Sequence, residues 1–526
     1  VRQALQLTDK QLMQDKIEVP AYRMLYLDET LQENAMMEVI RDVSFASRIE
    51  KLQNPDFKKD YVPDSLKGIL REYQKAGAAW IGMLYSNRFG GILADDMGLG
   101  KTLQVISFLL VEHTGCSLIV CPASLVYNWK HELERFAPSL KADMVTGNVQ
   151  QRKEVLDRWK EVDVLITSYD LLRRDITDYQ ELHFFCEVID EAQYIKNHGT
   201  QAARAVKQVQ TGFRLALTGT PIENRLSELW SIFDYLMPGY LYSYQRFRTE
   251  LEQPIVQHKD EDAAKRLQRL ISPFVLRRLK KEVLQDLPDK LEENLYADMD
   301  GEQQELYDAH VRRMKLMLEE KSDEEIRTDK IEILAELTRL RQLCCDPALL
   351  YDNYKGGSAK TELVRGLIRN AVENGHKVLL FSQFTTMLER LYRILEEEKI
   401  ASHMLTGATP KEKRIEMVES FAHDEVPVFC ISLKAGGTGL NLTAADVVIH
   451  FDPWWNSAVQ NQATDRAHRI GQKNVVNVYR ILAKGTIEEK IVELQERKLQ
   501  LSDRILGGES LQAQGLTREE LLELLR

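Results

Sequence analysis

The sequence predicts an α/β protein in which two parallel sheets are each flanked by helices. Short runs of β-branched and apolar residues recur along the chain, and each is followed by a turn and then by a stretch with helical periodicity. The runs fall into two sets, separated by a stretch rich in Leu, Glu, Lys and Arg at helical spacing from about residue 223 to residue 350. The chain has 526 residues, and at roughly 100 to 200 residues per domain this length allows two to four domains. We therefore expect two α/β units with helical insertions.

The apolar runs of each set are predicted to be the strands of one sheet. The first set lies at residues 91–94, 117–122, 162–168, 184–190 and 213–218. The second set lies at residues 377–382, 402–405, 426–432, 446–451 and 475–480. Residues 329–343 have the apolar spacing of an amphipathic helix. The tripeptide Leu287-Pro288-Asp289 indicates a hinge.

These patterns divide the chain into five segments. Residues 1–54 have mainly helical character, and so do the last forty residues, including 519–526. The predicted segments are a tail of a preceding region at 1–54, a first α/β unit at 55–275 with a helical protrusion from about 223, a linker and helical protrusion at 276–355, a second α/β unit at 356–485, and a helical C-terminal segment at 486–526. The chain does not begin with methionine, so we expect it to be a piece of a longer polypeptide.

Composition excludes several classes of protein. With 29% charged and 44% hydrophobic residues the chain is expected to fold, and disorder is not the default. Its net charge of −11 means that any nucleic acid must bind to a local basic surface. The six cysteines show no CxxC spacing and are predicted to be reduced core thiols. Neither a signal peptide nor a membrane-spanning run is present in the sequence, so we expect an intracellular protein without a membrane partner.

The strongest chemical signal is the segment GILADDMGLGKT at residues 91–102, which predicts a strand, a glycine-containing loop and a helix. Such a loop turns its backbone N–H groups toward phosphate oxygens, and the helix N-terminus adds partial positive charge. Lys101 would reach the β- and γ-phosphates of a nucleotide, and the Thr102 hydroxyl would ligate Mg²⁺. The strict phosphate-loop (P-loop) pattern has glycine where Asp95 stands. The alternative interpretation is a helix N-cap with a solvated lysine.

A second signal is the acidic pair at the end of the predicted strand EVID, where the DEAQ box begins. In phosphate-loop NTPases one acid at a neighbouring strand end holds Mg²⁺, and the next can orient and deprotonate the attacking water. Asp190 fits the metal role and Glu191 the base role. A solvated turn is the alternative. A third strand end, Thr218-Gly219-Thr220-Pro221, offers hydroxyls that could sense the nucleotide.

The segment DRAHRIGQ at residues 465–472 carries two arginines three positions apart. Together with Gln462, Arg466 and Arg469 have the spacing of one helical face. Guanidinium groups supplied from a second domain could stabilise charge on a transferring phosphoryl group, an effect of about 10³ to 10⁵ in rate. The alternative interpretation is a pair of surface salt bridges. His468 is expected to be a structural hydrogen-bonding residue.

The motifs, taken in order, resemble those of the Swi/Snf-type DNA-translocase ATPases of helicase superfamily two. They are DDMGLGKT, DEAQ, LTGTPIENRLSELW, FVLRRLKKEV, LLFSQF, SLKAGGTGLNL and DPWWNSAVQNQATDRAHRIGQ. The resemblance runs from about Leu66 to the C-terminus. It implies two RecA-like lobes, which are parallel sheets flanked by helices, with helical insertions and a C-terminal helical brace. It also implies that Mg-ATP binds between the lobes and that duplex DNA binds across them.

The resemblance also assigns roles to individual residues. Gln74 would recognise adenine, Lys101 and Thr102 would hold the phosphates and the metal, and Arg466 with Arg469 would be the arginine fingers. Further nucleotide contacts are implied for Asp96, Met97, Gly98, Leu99, Gly100, Asp190, Gly439 and Gln462. Contacts to the DNA backbone are implied for Pro122, Ser124, Asn128, Trp129, Thr167, Tyr169, Ser382, Gln383, Thr406, Gly407, Ser432, Lys434, Asn441 and Trp455. Trp454 and Trp455 have core packing as their alternative. Gln193 departs from the histidine that is usual in the family, and it cannot carry a proton.

These expectations combine into a translocase that uses ATP and Mg²⁺ to move along duplex DNA without separating its strands. A strand-separating DNA or RNA helicase and a nucleotide-gated factor associated with RNA polymerase are the alternatives. The sequence contains no bromodomain-like, chromodomain-like or zinc-ligand spacing, which favours a bacterial or archaeal member. We expect a monomer that acts in the cytoplasm on the nucleoid, or in the nucleus of a eukaryote. Its partners would be DNA and DNA-bound complexes such as RNA polymerase or nucleoid proteins.

Overall fold

The computed structural model describes residues 61–219, 226–284, 288–321, 329–433, 441–454 and 457–493, together with a few positions outside these ranges. The chain forms two compact units that divide between Val283 and Leu284. Most of residues 1–54 and of residues 486–526 lie outside the described positions. The predicted preceding tail and the predicted helix at 519–526 therefore lie largely outside the described residues.

The first unit is built on a seven-stranded sheet in which all neighbouring strands are parallel. Its strands are β1 (Gly91–Leu93), β2 (Ser117–Cys121), β3 (Ala142–Met144), β4 (Val164–Ser168), β6 (Glu187–Asp190), β8 (Arg214–Leu217) and β9 (Val275–Leu276). The separate strands β5 (His183–Phe184) and β7 (Gln210–Thr211) pair with each other. The order across the large sheet is β3-β4-β2-β6-β8-β1-β9.

The register of this sheet brings its chemical groups to one edge. Leu217 of β8 pairs with Leu93 of β1 on one side and with Asp190 of β6 on the other. The loop after Leu93, the acidic pair at Asp190 and the hydroxyl of Thr218 therefore all follow strands that end at the same level. β2 and β4 are buried along their whole length, as is typical of parallel strands that helices cover on both faces.

Helices cover the sheet of the first unit. They are α1 (Glu72–Ser86), α2 (Lys101–Val111), α3 (Val126–Phe136), α4 (Val149–Asp157), α5 (Tyr169–Arg174), α6 (Ile176–Tyr179), α7 (Gln201–Gln208), α8 (Leu226–Leu236), α9 (Tyr244–Phe247), α10 (Gln253–His258), α11 (Glu261–Ile271) and α12 (Lys280–Val283). Side-chain caps fix several starts: the Asn148 side chain accepts a hydrogen bond from Gln151 N, and the Thr200 side chain accepts one from Ala203 N.

The second unit has a six-stranded parallel sheet of order β10-β15-β14-β11-β13-β12. Its strands are β10 (Lys290–Ala297), β11 (Val378–Ser382), β12 (Ser402–Leu405), β13 (Val428–Ser432), β14 (Val447–His450) and β15 (Val476–Ala483). Its helices are α13 (Gly301–Glu320), α14 (Lys330–Cys345), α15 (Ala359–Glu373), α16 (Thr385–Glu397), α17 (Lys411–His423) and α18 (Ser457–Thr464). α13 and α14 pack around Leu318, Leu337 and Leu340 as a separate helical cluster.

The predicted fold class and all ten predicted strands are confirmed, and the amphipathic helix predicted at 329–343 is α14. The prediction that residues 223–350 are helical is wrong at the two-residue strand β9 and at the edge strand β10. Most side chains of this edge strand are exposed or half-buried, so its composition resembles the polar surface of a helix. β9 lies on both sides of the boundary predicted after residue 275.

The cysteines and the helices bear on two expectations from the composition. All six cysteines are buried free thiols, as the sequence predicts. Among the helices of the described ranges, none combines the length and the apolar character that crossing a bilayer requires.

Candidate active site

The phosphate loop connects β1 to α2. Gly98 and Gly100 have φ angles of 87° and 75°, which glycine adopts without strain. Lys101 is the first residue of α2, and its Nζ donates a 2.6 Å hydrogen bond to the carbonyl oxygen of Asp95. Thr102 follows in the first turn, where the N–H groups and the dipole of a helix favour an anion. The loop therefore has the geometry of a phosphate cradle.

Gln74 lies next to this loop. Its side-chain Nε2 donates a 3.0 Å hydrogen bond to the carbonyl oxygen of Leu99, and the hydroxyl of Tyr73 donates to the same oxygen at 3.0 Å. The Oε1 atom of Gln74 accepts a hydrogen bond from Arg71 N, 2.9 Å away. The glutamine assigned to adenine is thus fixed against the phosphate loop at the start of α1.

Three hydrogen bonds hold Asp190 at the end of β6. Its carboxylate accepts from the indole Nε1 of Trp129 at 2.9 Å and from the backbone N of Glu191 at 2.9 Å. Its backbone carbonyl accepts from the hydroxyl of Tyr169 at 2.8 Å. Burial and the neighbouring charge of Glu191 raise the pKa of Asp190 to about 6. The carboxylate therefore has a fixed direction and lies in an environment that disfavours its charge.

The backbone of Glu191 has a φ angle of 52°, a left-handed conformation that costs a residue with a side chain of order 1 to 3 kcal/mol. Its carboxylate accepts a 2.8 Å hydrogen bond from Nε2 of Gln193. The Oε1 atom of Gln193 in turn accepts one from the Thr218 hydroxyl at 3.1 Å. Gln193 thus connects the acidic pair to the strand end at Thr218. Thr220 and Pro221, also predicted there, lie outside the described residues.

The chemistry of these side chains fits a magnesium nucleotide. The Thr102 hydroxyl and the Asp190 carboxylate are hard oxygen donors of the kind that Mg²⁺ prefers. Two adjacent carboxylates, one with a raised pKa, are a pair that a divalent cation would stabilise. Lys101 and the N-terminus of α2 supply the remaining positive charge for phosphates.

Several residues implied to contact DNA lie in the interior of the first unit. Trp129, Thr167 and Tyr169 are 1%, 0% and 3% exposed, and Pro122 is buried too. The side chains of Trp129 and Tyr169 donate hydrogen bonds to Asp190, and their contact with DNA stays a prediction. Ser124 and Asn128 are half-buried and remain accessible.

In the second unit the predicted helical face of Gln462, Arg466 and Arg469 is wrong. α18 ends at Thr464, so only Gln462 lies on it. The chain then continues in tight turns, with Arg466 N bonded to Ala463 O at 3.2 Å. Past the end of the helix, the carbonyl of Arg466 accepts a 3.0 Å hydrogen bond from Leu442 N. A ring nitrogen of His468 is 2.8 Å from the carbonyl oxygen of Pro288, which is the structural role predicted for it.

The DNA contacts implied for the second unit have mixed surroundings. Ser382 is fully buried, and its hydroxyl donates a 2.5 Å hydrogen bond to Asp452, so its contact with DNA stays a prediction. Ser432 is also buried. The exposed or half-buried positions are Gln383, Thr406, Gly407 and Asn441. Lys434, Gly439 and Trp455 lie outside the described residues. Trp454 packs against the core beneath the sheet.

Comparison with protein families decides the relationship. A family model described as the SNF2-related domain matches residues 73–349, which is more than half of the chain. The chain belongs to the SNF2 family. The helicase conserved C-terminal domain matches residues 359–471, and a domain described as bacterial SNF2 helicase associated matches residues 1–63. These are the domains of an ATP hydrolase of the helicase type.

Individual relatives are similar to most of this SNF2 chain. The putative ATP-dependent helicase/translocase YwqA of Bacillus subtilis is 39% identical over 97% of this chain and 55% of its own length. An ATP-dependent helicase of Mycoplasma pneumoniae is 40% identical over 97% of this chain and 49% of its own length. The chain thus spans about half the length of these curated relatives. A solved SWI2/SNF2 ATPase core of Sulfolobus solfataricus in complex with dsDNA is 37% identical and covers 86% of this chain and 96% of that chain, with a TM-score of 0.44.

Two positions of this SNF2 chain contact residues predicted for a site but were not predicted themselves. Asp452 accepts hydrogen bonds from the Ser382 hydroxyl and from Gln383 N, and Arg278 contacts the start of the phosphate loop. Asp452 could have been found because it follows a buried strand. Arg278 lies in the motif FVLRRLKKEV, but the motif does not indicate its partner Asp95, which lies 183 positions earlier in the chain.

Proposed function

We propose that this SNF2 protein is a translocase that hydrolyses ATP to move along duplex DNA without separating the strands. The observation that carries the proposal is the position of the acidic pair at the end of β6. Asp190 of β6 and Leu93 of β1 both pair with Leu217 of β8, so the acidic pair and the phosphate loop lie at the same edge of the sheet. Every position that nucleotide hydrolysis requires at this edge is filled by a chemically competent residue.

The contacts of the first unit support the roles that we propose there for hydrolysis. Lys101 and the N-terminus of α2 bind the phosphates, and Gln74 orients the base. Thr102 and Asp190 would hold Mg²⁺, which when bound neutralises charge on the β- and γ-phosphate oxygens. Glu191, oriented by Gln193, accepts the proton of the attacking water. Arg466 and Arg469 are proposed as the arginine fingers.

Duplex DNA as the track is supported by the relatives and by the surface residues. The Bacillus subtilis relative is named a helicase/translocase. The accessible residues at the candidate DNA loops are Ser124, Asn128, Gln383, Thr406, Gly407 and Asn441. Small hydroxyl, amide and glycine residues suit contacts to a phosphate backbone that do not read sequence. We propose that the protein acts on the nucleoid in the bacterial cytoplasm, as a monomer.

Strand separation is a second candidate function, because the Mycoplasma relatives are named ATP-dependent helicases. It differs from translocation in its product, which is two single strands. A protein that only switches shape on another complex would instead hydrolyse ATP slowly and without stimulation by DNA.

The decisive experiment measures steady-state ATPase activity with duplex DNA, single-stranded DNA and RNA, followed by triplex displacement and strand-separation assays. We expect stimulation by duplex DNA and displacement of the third strand without separation of the duplex. Glu191→Gln and Arg466→Ala should each reduce the stimulated rate about 10²-fold or more. Preference for RNA, efficient strand separation, or wild-type rates in both variants would contradict the proposal.

A further inference from the structure

A buried carboxylate precedes the phosphate loop. Asp95 is 0% exposed and stands where the strict phosphate-loop pattern has glycine. Its Oδ1 atom accepts a 2.8 Å hydrogen bond from Nε of Arg278, and its Oδ2 atom accepts from Nη2 of the same guanidinium. Oδ2 also accepts from Nε2 of Gln104 at 3.0 Å. A buried carboxylate is tolerated only when it is paired in this way, so Asp95 depends on Arg278.

The same guanidinium contacts both neighbouring helices. Its Nη1 atom donates to the carbonyl oxygen of Tyr73 in α1, and its Nη2 atom donates to Oε1 of Gln104 in α2 at 2.8 Å. It also lies 5.2 Å from the centre of the Tyr73 ring. Because Tyr73 and Gln74 both donate to Leu99 in the loop, Arg278 connects the beginning of the loop with the groups that hold its end.

The backbone beside Arg278 is also hydrogen-bonded to the loop. We call residues 276–280 the strap. Its Leu276 carbonyl accepts a 2.7 Å hydrogen bond from Ala94 N, and its Arg278 carbonyl accepts a 3.0 Å hydrogen bond from Asp96 N. The N–H of Lys280 donates to the Asp96 carboxylate at 2.9 Å. The strap thus lies alongside residues 94–96, which lead into the loop, and is hydrogen-bonded to them.

The fit around this cluster leaves no spare room. A Cβ atom on Gly77 of α1 would lie 1.7 Å from Oε1 of Gln104 and 2.8 Å from Nη2 of Arg278. The helix that carries Gln74 therefore approaches the cluster at a glycine. Lys101, the proposed phosphate ligand, donates a hydrogen bond to the carbonyl of Asp95. A shift of Asp95 would therefore also move a contact of Lys101.

We propose that Arg278 is a positioning residue for nucleotide binding, which holds the phosphate loop through Asp95. The inference rests on the proposed ATP site and extends it to a residue 177 positions beyond Lys101 in the chain. Arg278 acts through Asp95 and not by contact with the nucleotide. It fixes the direction in which the loop and Lys101 present their donors. The strap runs into α12, and the second unit begins at Leu284 directly after it.

The test compares two buried Arg–Asp pairs of the first unit. Arg278→Gln combined with Asp95→Asn removes the ion pair near the loop without leaving a buried charge. Arg152→Gln combined with Asp175→Asn is the matched control, since Arg152 also donates through Nε and Nη2 to both carboxylate oxygens of Asp175. Thermal unfolding, the dissociation constant of a fluorescent ADP analogue, and KM and kcat for ATP are measured for each.

We expect the Arg278/Asp95 double variant to bind the analogue about tenfold more weakly or worse, with a matching rise in KM and a smaller change in kcat. Arg278→Lys should show the same defect, because an ammonium cannot replace the two-pronged guanidinium. The Arg152/Asp175 control should keep wild-type affinity even if its unfolding temperature falls. The inference would be overturned if both double variants lost affinity for the analogue in proportion to their loss of unfolding temperature.

Lys101→Ala separates this inference from the proposed function. If the wild-type protein binds the analogue and Lys101→Ala does not, the proposed nucleotide site is intact. Wild-type affinity in the Arg278 variants would then overturn the positioning role alone. If the wild-type protein does not bind the analogue, the proposed function fails, and the inference that rests on it fails too.

Discussion

The indole N–H of Trp129 donates a 2.9 Å hydrogen bond to the carboxylate of Asp190. Trp129 lies on α3, which begins four residues after the loop residue Pro122. A residue that the sequence suggests for DNA contact is therefore a direct partner of the proposed metal ligand. α3 therefore carries both the half-buried Asn128 and the tryptophan that contacts Asp190.

Trp129→Phe removes the N–H donor and keeps an aromatic ring. Partners that orient metal ligands typically contribute about 10- to 100-fold to affinity or activity, so we expect the ATPase rate at limiting Mg²⁺ to fall by that factor. The control is Trp230→Phe, which removes a 3.1 Å indole bond to Tyr242 O elsewhere in the unit. Equal rates in the two variants would contradict the role of Trp129.

Gln193→Ala removes the bridge between Thr218 and Glu191. A hydrogen bond to a charged group contributes about 1.5 to 3 kcal/mol, so kcat should fall about tenfold or more while KM for ATP changes little. Gln193→His should keep activity within a few-fold, because a neutral imidazole can donate through one nitrogen and accept through the other. The surface variant Gln180→Ala serves as control. The prediction fails if Gln193→Ala retains the kcat of that control.

Glu187 makes the stability of the first unit depend on pH. Burial raises the pKa of this carboxyl to about 8, although Arg214 lies 3.5 Å away. A carboxyl whose pKa is raised on folding stabilises the folded state below its unfolded pKa and loses that contribution as pH rises toward 8. We expect Glu187→Gln to gain stability relative to wild type between pH 5 and pH 8.

The size of that gain is at most about 4 kcal/mol, at about 1.4 kcal/mol per pKa unit. Urea unfolding of both proteins at pH 5 and at pH 8, followed by tryptophan fluorescence, measures it. A difference between the two proteins that is the same at both pH values would show that Glu187 does not titrate in this range.

The ion pair of Lys360 and Glu488 should dominate single-residue effects in the second unit. Both side chains are 0% exposed, with 2.8 Å between Nζ and Oε2. Removing one partner leaves a buried charge, so Lys360→Met should cost about 3 to 5 kcal/mol of unfolding free energy. Lys360→Met with Glu488→Met should recover much of this loss. The exposed pair Lys490 and Glu493 is the control, where Lys490→Met should cost less than about 1 kcal/mol. No recovery in the double variant would argue against charge burial as the cause.

The sequence predicts the parts of this protein that depend on local pattern. β2 and β4 are recognisable because both faces of a parallel strand are buried and the run is apolar throughout. β10 is not recognisable, because an edge strand such as Lys290–Ala297 keeps most of its side chains in solvent. β3 and β9 have only three and two residues, too few for any periodicity.

In the candidate site, too, local pattern predicts some residues and only the fold brings the others together. Spacing alone indicates the chemistry of two groups whose members lie close together in sequence. These are the glycines at 98 and 100 and the acidic pair at 190 and 191. Spacing misplaces Arg466 and Arg469, because α18 ends at Thr464 and the chain continues in turns, whereas the spacing assumes a continuous helix. The pairings of Trp129 with Asp190 and of Arg278 with Asp95 arise from the fold, and no local pattern contains them.

β9 has a consequence for how the protein is made. Ile92 and Leu93 pair with Val275 and Leu276, so the strand that leads into the phosphate loop receives its outer neighbour from chain synthesised more than 180 residues later. During translation β1 therefore stays an unprotected sheet edge until residue 276 has left the ribosome, and such edges can pair with other chains. A fragment that stops at Ile271 would keep the phosphate loop but lose the cover of this edge, and we expect it to aggregate where a fragment ending at Val283 stays monomeric.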